Sequence, residues 1–192
     1  MAPSRKKPPT HTRESLALTG DALCIVAVAD THSQPHPDLD ARLAALAPDH
    51  ILHAGDIGDL SVLERLRAHA PLTVVRGNID ERANDLPDVV TLDVNDAQGT
   101  LLKILMLHIA VYGPKLRADA VRLAKAEDAS LVVCGHSHVP FAAHDRGVTV
   151  FNPGSVGPRR FQLPIVLGVI EVSRGGIRVR HVDCETGLPW RP

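Results

Sequence analysis

Aromatic residues are scarce in this 192-residue chain, at 3%: three Phe, one Tyr and one Trp. So few rings leave no visible platform for stacking single-stranded bases, and the core falls to Val, Leu, Ile and Ala. Net charge is almost absent, at -1, which removes the electrostatic reason to expect a nucleic-acid or membrane partner. Cysteine is limited to Cys24, Cys134 and Cys184, an odd number with no CxxC spacing. That argues against a disulfide framework and for a reduced, cytoplasmic protein. Cys24 and Cys134 lie in apolar runs, as buried thiols do. Long apolar runs are missing too: Lys103 and His108 break the longest, short of the roughly 18 residues of a membrane span. The Arg5-Lys6-Lys7 cluster ahead of Ala27-Val28-Ala29 imitates a secretory signal. Asp21 interrupts it, however, and the apolar stretch from Ala22 to Ala29 is short.

A hydrophobic content of 44% suits one domain with a sizeable core. Residues 1–20, with Pro3, Pro8, Pro9 and Arg13, read as a basic, Pro-rich tail without structure, and 21–192 as a single domain. Apolar strands are expected at Ala22–Ala29, His50–His53, Leu72–Arg76, Val89–Val94, Leu101–His108 and Leu131–Cys134. Helical periodicity covers Leu39–Leu46, Leu60–His69 and Lys115–Glu127. Continuous apolar strands joined by helices imply an α/β sheet covered on both faces. The β-rich last third, from Gly147 to Val182, is expected to form a second, antiparallel sheet on the first.

Five fragments then follow in order: Asp30-Thr31-His32, Gly55-Asp56, Gly77-Asn78-Ile79-Asp80, His108 and Gly135-His136-Ser137-His138. Each sits just past an apolar run. Asp30 and His32 share a side if the strand continues. The glycine before Asp56 lets backbone approach a crowded centre. Gly-Asn alone reads as a turn, and a lone His108 as a core residue. The paired imidazoles of His136 and His138 favour a ligand role even in isolation. His53 and Asp59 read as support or packing, and Arg76 and Arg159 as surface charges. Together the fragments mix hard oxygen donors with imidazoles, the donor set of a two-metal phosphoesterase.

Their order and identity resemble the calcineurin-like metallophosphoesterases, with the pattern D-x-H, G-D, G-N-x-D/E, H and G-H-x-H. The compact bacterial and archaeal phosphodiesterase branch is the nearest in look. Its terminal Asn-Pro-Gly-Ser is matched by Asn152-Pro153-Gly154-Ser155. The resemblance implies a four-layer αββα sandwich of two mixed sheets flanked by helices, with a metal site on loops at one sheet edge. It implies that Asp30, His32, Asp56 and His138 hold one divalent ion, and that Asp56 bridges to a second held with Asn78, His108 and His136. Asp56, Asn78 and His108 then carry catalysis. Mn²⁺ is favoured by the resemblance, while the donor set also suits Fe, Zn, Ni or Co.

The implied activity is phosphodiester hydrolysis by a metal-bridging hydroxide, between ions roughly 3.5–4 Å apart. Four metal charges against Asp30, Asp56 and that hydroxide leave about one positive charge, suited to a monoanionic diester. Two departures from the pattern stand out. Ile79 occupies the place where many members have a proton-donating His, so aryl leaving groups are expected to outpace alkyl ones. His108-Ile109 replaces His-Gly, and the bulkier residue is expected to narrow the approach to the second ion. The expected partner is a small phosphoester, and homo-oligomerisation is left open. The alternatives are a protein-interaction scaffold on the same fold, which the seven filled ligand positions oppose, and a nuclease.

Overall fold

The computed structural model describes residues 9–191. Along the chain run β1 (His11–Ala17), β2 (Ala22–Val28), α1 (Leu39–Leu46), β3 (His50–His53), α2 (Ser61–Arg67), β4 (Leu72–Val74), β5 (Val89–Asp96) and β6 (Gly99–Leu107). A small hairpin of β7 (Val111–Tyr112) and β8 (Lys115–Leu116) precedes α3 (Ala118–Ala126). Then come β9 (Leu131–Val133), β10 (Phe141–Asp145), β11 (Val148–Asn152), β12 (Val166–Ser173), β13 (Gly176–Asp183) and β14 (Pro189–Trp190).

Two six-stranded mixed sheets result, in the orders β1-β5-β6-β9-β11-β10 and β14-β13-β12-β2-β3-β4. Period-two alternation sorts their side chains into three cores. Ile25 and Ala27 of β2 face inward between the sheets with Leu92, Ile104, Met106, Leu131 and Phe151. Their neighbours Val26 and Val28 face outward onto Leu39 and Leu43 of α1 and Val62 and Leu66 of α2. On the other sheet, Leu105, Val132 and Val150 meet Ala120, Val121 and Ala124 of α3. This is the expected four-layer αββα sandwich. Its strands are apolar on both faces because each face is covered.

Three expectations are corrected. His11–Ala17 is a strand, pairing in parallel with β5 from His11↔Val89 to Ala17↔Asn95, so the tail reading fails over those residues. Residues 1–8 lie outside the described part. Inter-strand bonds rather than burial hold β1, since only Leu16 along it is even partly buried. Thr10 adds an anchor, its backbone N–H donating to the Asp88 carboxylate at 2.7 Å. Nor does the last third form a sheet of its own. β10 and β11 extend the first sheet, whereas β12 and β13 join the second through the antiparallel β12–β2 pairing. The third helix also starts later than expected, because Lys115 and Leu116 belong to the hairpin.

Within the sheets, β2, β3 and β4 are parallel, as are β6, β9 and β11. Their carboxyl ends meet at one edge, the place where open α/β sheets put their sites. All five sequence fragments leave the fold there.

Candidate metal centre

The strand ends bring the candidate side chains into two groups. Asp30, His32 and His138 offer ligand atoms within 4.8 Å of one another, and so do Asp56, His108 and His136. Asp56 stands between them: its Oδ2 is 3.7 Å from His32 Nε2 and its Oδ1 3.2 Å from His108 Nε2. Asn78 completes the second group, with Oδ1 3.2 Å from His108 Nε2. All seven residues singled out from sequence are therefore brought together.

The loops are held in costly conformations. Asp30, His32, Ser33, Asp56, His136 and His138 all have φ between 45° and 71°, a region that suits glycine. What over-determines them is hydrogen bonding. Asp80 accepts from the backbone N–H groups of Ile57, Gly58 and Gly77, lacing the Asp56 loop to the Asn78 loop. Asn152 donates to Gly135 O at 2.9 Å and to Ser137 Oγ at 3.1 Å, pinning the His136–His138 loop. Ser155 donates to Asp30 O at 3.0 Å. Gly77 is needed because a Cβ there would lie 2.1 Å from both the backbone N and Oδ1 of Asp56. The same holds at Gly55, with φ of 93° and His108 Nδ1 2.7 Å from where a Cβ would sit.

The donor atoms fit a cation. His108 Nδ1 lies 2.8 Å from Ala54 O, an atom that only accepts, so that nitrogen carries a proton and Nε2 presents its lone pair. That lone pair faces two oxygens, of Asp56 and Asn78. The His108 pKa is accordingly raised: burial opposes the charge, but the Asp56 hydrogen bond and the charge of Asp30 outweigh it. In the other group His32 Nε2 and His138 Nε2 are 3.2 Å apart, and His138 Nε2 is 3.5 Å from Asp30 Oδ1. Ligands bound to one ion at about 2.1 Å sit about 3.0–3.4 Å apart, so the 3.2 Å separation fits shared coordination and the 3.5 Å one lies just beyond it. His138 Nδ1 is buried and has no hydrogen-bond partner among the described residues.

Electrostatics separates the two carboxylates. Burial drives the Asp30 pKa up to about 7, reinforced by Asp56 and resisted by His108. Asp56 is also pushed up by burial, yet its bonds with His108 and the Ile79 N–H bring it down to about 2. Burial, then the nearby charge of Arg160, lowers His138 to about 4.

Other candidates resolve differently. His53 is fully buried: its Nδ1 accepts from Gly55 N–H at 3.1 Å and its Nε2 lies 3.0 Å from Thr31 Oγ1. It props two site loops and has no route to a substrate. Asp59 bonds locally to Ser61 N–H. Arg76 pairs with Asp88 at 2.6 Å, and Arg159 with Glu185. The residue missed in sequence is Arg160, whose guanidinium lies 3.1 Å from His32 Nε2, on the lone pair that a bound ion would take from it. Its signal is weak, a basic pair in a loop after the Asn-Pro-Gly-Ser segment. Ile109 does not close the approach but lines an open apolar trough beside His136.

The model of the calcineurin-like phosphoesterase superfamily domain matches residues 23–175, from β2 to the end of β12. The chain belongs to this superfamily. Among curated relatives, a probable metallophosphoesterase of Methanocaldococcus jannaschii is 30% identical over 158 residues, 76% of each chain. Vacuolar Protein Sorting 29 of Cryptosporidium parvum shares the fold, with a TM-score of 0.70 at 14% identity, covering 89% of this chain and 96% of that one. Vps29 of Entamoeba histolytica, solved in complex with Zn²⁺, has a TM-score of 0.58 at 20% identity, covering 84% and 99%. The superfamily membership makes this edge a candidate site for divalent metal and phosphoester chemistry. Among the described residues, no helix is long and apolar enough to cross a membrane.

Proposed function

We propose that the chain is a dinuclear metal-dependent phosphodiesterase. The observation that carries this reading is the pair of nitrogen–oxygen clusters with Asp56 between them, its two carboxylate oxygens turned toward opposite groups. Asp30, His32 and His138 would hold one divalent ion, Asn78, His108 and His136 the other, and Asp56 both. Bound ions, with Mn²⁺ favoured, would supply Lewis-acid stabilisation of a phosphoryl group and activation of water. The protein's contribution is placement. The Ala54 carbonyl keeps the His108 ring in the tautomer that leaves Nε2 free. The Ile79 N–H orients Asp56 Oδ1 at 3.1 Å, and the His136 N–H holds Asp30 Oδ2 at 3.0 Å. Only two carboxylates sit among seven ligand positions, so the loaded centre keeps surplus positive charge. Arg160, exposed at its rim, adds to it, and both favour an anionic ester.

A scaffold role is the second reading, suggested by the Vps29 neighbours. The complete donor set favours the enzyme. Hydrolysis of bis(p-nitrophenyl) phosphate with Mn²⁺ tests the proposal. Wild type is expected to turn over and Asp56→Ala to lose about 10³-fold or more in kcat/KM. A wild type inert with every divalent metal tried overturns the enzyme reading. Activity surviving Asp56→Ala overturns the bridging role.

A further inference from the structure

An open cavity of about 510 Å³ adjoins the metal centre on its His136 side. One wall is the segment after His108, Ile109 to Val111 with Gly113 and Pro114; the other is Phe141, Ala142 and Ala143 of β10. Gly135, His136 and Ser137 form the end shared with the centre. Apart from His136 the lining holds no ionisable side chain, and Ser137 Oγ is already engaged by Asn152. A sugar or nucleobase buried there would leave its hydrogen-bonding edges without partners, at a cost an alkyl or aryl group avoids. Tyr112, 89% exposed, projects from the hairpin between two of the lining residues.

We infer that this trough seats an apolar ester arm of the substrate, so that the enzyme acts on phosphoesters carrying an alkyl or aryl group rather than on nucleotides or sugar phosphates. The inference rests on the phosphodiesterase reading above and adds the substrate class. A phosphorus centre anchored beside His136 places one of its ester arms at the mouth of the trough. Burying successive methylenes then improves binding until the trough is full.

The test uses methyl-, propyl-, hexyl- and phenylphosphonate with the full-length, Mn²⁺-loaded protein. Calorimetric Kd and inhibition of bis(p-nitrophenyl) phosphate hydrolysis are both read. Affinity is expected to rise about two- to fourfold per methylene and then level off. Ala143→Phe, on the same face of β10 as Phe141, is expected to move that levelling-off to a shorter chain. A flat series in an enzyme that hydrolyses the diester overturns the inference and leaves the phosphodiesterase reading intact. Equal affinity for uridine monophosphate and hexylphosphonate also overturns it. Failure of the wild type to hydrolyse any diester removes both.

Discussion

The two halves of the centre are built from similar residues and behave as opposites. In the Asp30 half the carboxylate is fully buried, and burial raises its affinity for a proton despite the nearby charges of His108 and Arg160. In the Asp56 half the carboxylate is braced by His108 and a backbone N–H, and its proton affinity is lowered. His138 is 2% exposed, whereas His136 and Asn78 on the other side are open to solvent. One half is the more closed, with Asp30 and His138 buried and His32 half-buried; the other opens through His136 on the apolar trough. The contrast teaches a division of labour. On the proposed function, the more closed half would hold its cation tightly and the open half would meet the substrate.

The largest expected effect tests the closed half. Metal-free Asp30 has a folded pKa of about 7 against 3.8 when unfolded, so the folded state binds the extra proton between these values. The stability that this group contributes is fully present below 3.8 and is lost as pH rises toward 7, by up to about 4 kcal/mol. Asp30→Asn is therefore expected to raise the thermal midpoint of the chelator-treated protein at pH 8 and to lose that advantage near pH 4. Denaturation curves at both pH values, with and without Mn²⁺, provide the check. No gain at pH 8 would mean that Asp30 is not short of a counter-charge.

His53 behind the loops works with the opposite sign. Burial first of all holds its folded pKa near 4, below 6.5 when unfolded. The unfolded chain binds more protons in that window, so stability is fully present above 6.5 and drops as pH falls to 4, by about 3 kcal/mol. His53→Gln is expected to flatten this acid-side loss in thermal unfolding. An unchanged pH profile would place the titrating group elsewhere.

The smallest effect concerns the rim. Arg160 is exposed, so its contribution to an anionic substrate is screened. Arg160→Ala is expected to raise KM about two- to fivefold with kcat little changed. A large fall in kcat instead would give Arg160 a part in the chemistry.

Sequence makes the centre legible because its chemistry is carried by side-chain identity at strand ends. Of the seven, only His136 and His138 stand out alone; Asp30, His32, Asp56, Asn78 and His108 are picked out by the ordered set of fragments just past apolar runs. The helix from Leu39 to Leu46 is equally readable, since burial of one face dictates its period. What stays hidden depends on pairing. The strand His11–Ala17 has an exposed, polar sequence and exists because β5 offers it an open edge. The division of β10 through β13 between two sheets follows partner choice, which alternation does not encode. The role of Asp80 is hidden for a related reason. Its task is to gather three backbone N–H groups from two loops, an assignment that local spacing cannot announce.

Two ions shared across Asp56 are the central claim, and metal stoichiometry meets it most directly. The measurement is a calorimetric titration of chelator-treated wild type and His138→Ala with Mn²⁺, with bound metal counted after gel filtration. The account predicts two equivalents per wild-type chain and no more than one in His138→Ala. A wild type that takes up one equivalent or none at saturating Mn²⁺ would contradict it.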